Sequence, residues 1–167
     1  MVSSRASSAA SAQNEPTQRA AVIAEAKTWV GTPFRDQSDV KGAGVDCAML
    51  LLRCFVDTGV VAPFDPRPYA PQWHLHHSEE KFLAIIEKLG TEVDGEPIPG
   101  DVVVYRFGRC FSHGALAIGG GHVLHAWYPE KQVTVSPMHD VTLCHLRNGT
   151  ARPRKIFDCW ATGANSE

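Results

Sequence analysis

Val22, Ile23, Ala26, Trp29 and Val30 recur at the three-and-four spacing of a helix with one apolar face, and the run stops at Gly31 and Pro33. Pro16 suits a first helical position, so the pattern predicts a helix opening near that residue. The next apolar run is different in kind. Between Ala48 and Val56 only Arg53 is charged, and a helix apolar nearly all round belongs inside a domain. Asp46 is a suitable N-cap and Gly59 a suitable stop, which predicts a helix of about Cys47 to Asp57. The intervening stretch 31–45, "GTPFRDQSDVKGAGV", reads as loop. Pro63, Pro66, Pro68 and Pro71 make residues 60–77 irregular. Ser78 can cap a third helix with Glu79 and Glu80 in its first turn, Phe82, Leu83, Ile85, Ile86 and Leu89 on its apolar face, and Gly90 at its end.

The periodicity then changes to that of strands: Val102–Phe107, Gly114–Ile118, His122–Trp127, Val133–Ser136 and a last one around Ile156–Trp160. Helices first and a meander of strands afterwards is an α+β order. A chain of 167 residues, 44% of them hydrophobic, can fill one core. Residues 1–15, polar and rich in Ser and Ala, read as a flexible tail, and 16–167 as a single domain. That tail lacks the apolar centre of a secretory signal, so synthesis in the cytoplasm is the expectation. No apolar run is long enough to span a bilayer. Sixteen basic against eighteen acidic residues give a formal charge of −2, which leaves no electrostatic case for nucleic acid. The small basic cluster "RPRK", Arg152–Lys155, reads as a solvated strand edge.

Five cysteines without a CxxC spacing form neither a zinc ribbon nor a disulfide framework. Cys47 stands apart because it occupies the first position of the buried helix. Unpaired N–H groups and the positive end of the helix dipole favour a thiolate there, and the same amides can bind an oxyanion. A buried core cysteine is the competing reading, and the one that Cys54 takes.

A nucleophilic cysteine needs a histidine base held by a third polar group. If Gly119–Gly121 form a three-residue hairpin loop, Ile118 pairs with His122 and Ala115 with His125. His113 is then a diagonal neighbour of His125 on one face, while His122 lies on the other. The zinc-like pattern C-x2-H-x8-H-x2-H, from Cys110 through His113 and His122 to His125, fails in that register, because its ligands fall on two faces. No metal or organic cofactor is expected.

The segments "GTPF…GAGVDCAMLLL", "PGDVVVYR" and "SHGALAIGGGHVLHA", in this order over roughly Ala21 to Pro137, resemble the NlpC/P60 family of papain-like cysteine peptidases. The resemblance implies N-terminal helices packed on an antiparallel sheet, with the nucleophile at a helix N-terminus. It also implies a catalytic set of Cys47, His113 and His125 that hydrolyses peptides of the bacterial cell wall, with peptidoglycan stem peptides as partners. "YAPQWHLHHSEEKFL" and the lead-in to Asp46–Cys47 most resemble a phage and prophage subgroup encoded near tail genes. Phage tail proteins and a place in the virion are therefore further expectations.

Asp46 matches a position that can help hold a substrate amine. Phe34 stands where relatives usually have tyrosine, and Ala48–Met49 where they tend to have Ser-Gly or Leu-Gly. Gln37 is the candidate replacement for the missing hydroxyl donor, and Trp73 the candidate wall of the cleft, with His74, His76 and His77 beside it. An ion pair of Cys47 and His113 would give alkylation below the usual thiol pKa of about 8.5 and a rate that falls at both pH extremes. A tail component with a weak or idle site, and a thiol-dependent acyltransferase, are the alternatives.

Overall fold

The computed structural model describes residues 15–69 and 80–160. The expected helices α1 (Glu15–Lys27), α2 (Cys47–Asp57) and α3 (Lys81–Leu89) are all present. The hairpin strands β1 (Asp39–Val40) and β2 (Gly44–Val45) lie between the first two, inside the stretch expected to be loop. After α3 come β3 (Thr91–Val93), β4 (Val102–Phe107), β5 (Cys110–Gly119), β6 (His122–Trp127) and β7 (Gln132–Pro137). A one-turn helix α4 (Val141–Cys144) and β8 (Arg154–Asp158) complete the described chain. β3, α4 and the hairpin carry too few residues for a periodic signal. The flexible tail and the Ser78 cap lie outside the described residues, apart from Glu15, which opens α1.

Six strands form one antiparallel sheet in the order β3-β8-β4-β5-β6-β7. β8 is inserted between β3 and β4, so the basic cluster is not a sheet edge. Arg154 and Lys155 pair with Glu96 and Glu92, and Arg152 lies over the Phe107 ring at 3.8 Å. Its guanidinium also donates to the carbonyls of Arg106 and Leu143.

Strand alternation sorts the core into two layers. Val102, Val104, Leu116, Leu124 and Ala126 face α1, α2 and α3, while Val103, Tyr105, Ala115, Ala117 and Val123 face the opposite way, towards Met138 and Leu143. Gly114 is where α2 and α3 come closest to the sheet. A Cβ there would lie 2.7 Å from Leu51 and 2.9 Å from Phe82, so only glycine allows this approach.

A buried charge ties α1 to the sheet. Arg19 donates to Glu15 at 2.7 Å, to Asp101 at 2.9 Å and to Asp158 at 3.2 Å, and its guanidinium lies 4.2 Å from the centroid of Trp160. Such a group is stable inside only because its donors are satisfied.

Candidate active site

Asp46 caps α2 as its sequence position implies. Its Oδ1 accepts from the Met49 N–H at 2.9 Å, and its Oδ2 accepts from the Gln37 N–H at 2.7 Å and from the hydroxyl of Tyr69. Tyr69 is a residue that sequence reasoning missed. It is held in turn by Gln37, whose side-chain oxygen accepts from the Tyr69 N–H at 3.2 Å. Arg67 adds a second clasp, reaching the Gln37 carbonyl at 3.0 Å and Asp39 at 3.1 Å. Gln37 is therefore engaged within the chain, with φ of 59°, and does not stand free in solvent.

Cys47 follows the cap and is 8% exposed. Its sulfur lies 3.9 Å from the carbonyl oxygen of Ser112 and is also met by the N–H groups of Gly114, Ala48 and Cys47 itself. The helix thus delivers the thiol to the backbone on either side of His113. The expected direct hydrogen bond to an imidazole is not what the thiol makes; its hydrogen bond goes to Ser112.

Burial, with the Asp46 charge second, pushes the thiol well above its usual range. This overturns the expectation of a depressed thiol. The helix amides lower it, as anticipated, but loss of water outweighs them.

The histidines meet as the register predicts. Leu116 pairs with Leu124 and Ala117 with Val123, the expected pairing. The loop itself is tighter than expected, because a bulge makes Gly119, not Ile118, the partner of His122. His113 Nε2 and His125 Nδ1 are 2.8 Å apart. His122 makes a local contact with the Gly120 carbonyl instead. A second bulge, at Ser112, places Cys110 opposite Phe107 on the histidine face, where a regular strand would have turned it away. Among the described residues no group of three or more His, Cys, Asp or Glu is arranged to hold a metal ion.

Both rings lie on the face away from the helices, walled by aromatic side chains. Trp127 stacks on His125 with centroids 5.0 Å apart and 13° between planes, and its centroid is 4.8 Å from that of His113. Tyr105 and Phe107 flank His113 at 6.3 and 5.9 Å. Burial in this wall, with His125 alongside, holds His113 well below its usual pKa, and burial brings His125 down to about 4. Both imidazoles are therefore neutral at pH 7. His125 continues through Nε2 to the hydroxyl of Ser136 at 2.9 Å, a contact that the sequence reading did not include.

Phe34 bridges to Val45, just before Asp46, and its N–H donates to the Lys131 carbonyl at 2.8 Å. Its ring meets Tyr128 edge-on at 5.5 Å. Ala48 and Met49 are buried in the helix-side core. Trp73, and with it His74, His76 and His77, lies outside the described residues.

The fold matches solved structures at low identity. The NlpC/p60 domain of the peptidoglycan hydrolase SagA is 21% identical, with a TM-score of 0.56 over 84% of this chain and 98% of that one. RipB of Mycobacterium tuberculosis, described as a peptidoglycan hydrolase, is also 21% identical, with a TM-score of 0.56 over 93% of this chain and 73% of that one. RipD of the same organism, described as a non-catalytic NlpC/p60 domain protein adapted to peptidoglycan binding, is 19% identical, with a TM-score of 0.52 over 84% of this chain and 96% of that one. No curated protein matches the sequence. The NlpC/P60 family model matches residues 29–151, most of the chain and all of the site just described, and the chain therefore belongs to the NlpC/P60 family.

Proposed function

We propose that the protein is a cysteine peptidase or amidase that hydrolyses peptide bonds in bacterial peptidoglycan, with Cys47, His113 and His125 as its catalytic set. The observation that carries the reading is the 2.8 Å bond from His125 to His113, which stands on the strand whose backbone the Cys47 sulfur touches. His113 Nε2 is taken by His125, which leaves Nδ1 to accept the thiol proton. In the structure the thiol and the His113 ring lie on opposite faces of the sheet, so the reaction requires the Ser112–Gly114 segment to bring them together. The thiol then leaves the Ser112 carbonyl, its proton passes to His113 Nδ1, and Sγ attacks the substrate carbonyl. The amides at the start of α2 hold the oxyanion, and His113 returns the proton to the leaving amine. Water then releases the acyl group by the reverse sequence. Asp46 positions the helix end, while Phe34 and Gln37 border the substrate.

Neutral thiol and neutral imidazole make His113 a general base that acts during attack, not half of a standing ion pair. Iodoacetamide is then expected to modify Cys47 no faster than an ordinary thiol below about pH 8.5. Hydrolysis should fall in acid, as His113 takes a proton, and hold level to about pH 9. Rapid alkylation at pH 6 together with a bell-shaped rate profile would restore the ion pair.

The direct test is mass spectrometry of purified wall peptides incubated with the protein and with Cys47→Ala. Cleavage lost in the variant is the expected result, and an acylated acceptor other than water would identify transfer instead. A second reading, wall binding without catalysis, is favoured by the thiol's bond to Ser112 and by the family's inclusion of RipD. Binding of wall peptide without cleavage would establish it. The phage or prophage origin, with tail proteins as partners and the virion as the place of action after cytoplasmic synthesis, rests on sequence likeness around residues 31–47 and 69–83. Tail genes beside this one would support it.

A further inference from the structure

We propose that Ser136 is a positioning residue whose hydroxyl accepts a hydrogen bond from Nε2–H of His125 and so fixes the order of protons along both histidines. This rests on the peptidase reading above. The contact repeats a geometric device. His113 on β5 and His125 on β6 are diagonal neighbours, and so are His125 and Ser136 on β7, since Ser136 pairs with Val123, two residues before His125. The 2.8 Å and 2.9 Å bonds therefore run obliquely across three adjacent strands on one face.

The direction of the protons decides whether the site works. To accept from the thiol at Nδ1, His113 must carry its own proton on Nε2 and give that hydrogen bond to His125 Nδ1. His125 must then be the Nε2–H tautomer, which requires an acceptor at Ser136. A serine hydroxyl can also donate, and donation would reverse every bond in the row and block His113 Nδ1 with a proton.

Acidic groups stand near the hydroxyl of Ser136. Its side chain lines a cavity of about 250 Å³ together with Trp127, Pro129, Glu130, Asp140 and Thr142. Glu130 and Asp140 line the same cavity, so a Ser136 hydroxyl proton turned into it faces negative charge and leaves an oxygen lone pair for His125. Trp127 holds the His125 plane, so Ser136 is needed only to choose between tautomers, not to support the ring.

The test is nitrogen-15 NMR of the histidine side chains, paired with kinetics, on the intact protein and on Ser136→Ala and Ser136→Thr. The wild type and Ser136→Thr are expected to show His125 as a single tautomer protonated at Nε2, and Ser136→Ala a mixture. kcat should fall about tenfold in Ser136→Ala with KM within about twofold, and recover in Ser136→Thr, the scale of one lost hydrogen bond. If Ser136→Ala does not fold, Ser136→Cys, close in size and a poor acceptor, takes its place with the same expectation. A His125 ring that stays one tautomer without the hydroxyl, or that is protonated at Nδ1 in the wild type, overturns the proposal. Wild-type protein that hydrolyses nothing sinks the peptidase reading alone, because the NMR result still decides the role of Ser136.

Discussion

The two faces of the central sheet hold the two halves of the site, and they are built by different means. On the helix side, Cys47 is placed by a cap: one aspartate, two backbone N–H groups and the Tyr69 hydroxyl settle where α2 begins. On the far side, His113 and His125 are placed by strand register and enclosed by Tyr105, Phe107 and Trp127. A helix cap is local and survives small shifts elsewhere. A register holds only if every strand between keeps its pairing. The two meet at the bulged segment Ser112–Gly114, where the thiol touches strand backbone.

The largest effect should come from removing the chemistry of either face. Cys47→Ala is expected to abolish hydrolysis, and His113→Gln to lower kcat about a thousandfold with the melting curve little changed. If His113→Gln retained most of the rate, the far face would have no part in the reaction.

Acid should separate the faces next. An unfolded histidine takes a proton near 6.5, whereas His125 in the folded protein stays neutral to about 4. The unfolded state therefore binds more protons in that window, and stability falls as pH drops through it, by about 3 kcal/mol for His125 with His113 adding in the same direction. Urea titrations at pH 7 and pH 4 measure the loss, and His125→Asn should remove its share. Equal stability at the two pH values would mean that the rings are far more hydrated than their aromatic wall implies.

Gly114→Ala probes the join itself. The new methyl must displace Leu51 and Phe82, which should cost about 2 kcal/mol and push α2 off the strand. Thermal melts give the first number, and a loss of hydrolysis larger than the loss of folded protein would report the displaced sulfur. The smallest effect is expected from Tyr69→Phe, which removes one of the bonds to Asp46 and should cost about 1 kcal/mol. A change of several kcal/mol would show that the cap, and not burial, holds the helix-side face together.

The same contrast explains what could be read in advance. The helix face was legible from Ala48 to Val56 because an uncharged run and an Asp-Cys junction are local signals. The imidazole pair was legible because three consecutive glycines narrow the hairpin and alternation does the rest. Tyr69 was not, since its bond to Asp46 joins residues 23 apart through an irregular segment. Ser136 was not, because its role appears only once β7 pairs with β6. The raised thiol was missed for a different reason: position at a helix end can be read from spacing, but how much water remains there depends on the assembled fold. Arg152 and its neighbours were misplaced because β8 enters the middle of the sheet, an insertion that no local pattern reports.

The Arg19 knot sets a limit on how far the chain can be shortened. Asp101 stands at the threshold of β4 and Asp158 closes β8, so a single guanidinium from the first helix ties the ends of two adjacent strands together. A cut beyond residue 19 would put two acidic groups side by side in a dry interior with their shared counter-ion gone, and the damage would be felt in the sheet well before it was felt at the sulfur.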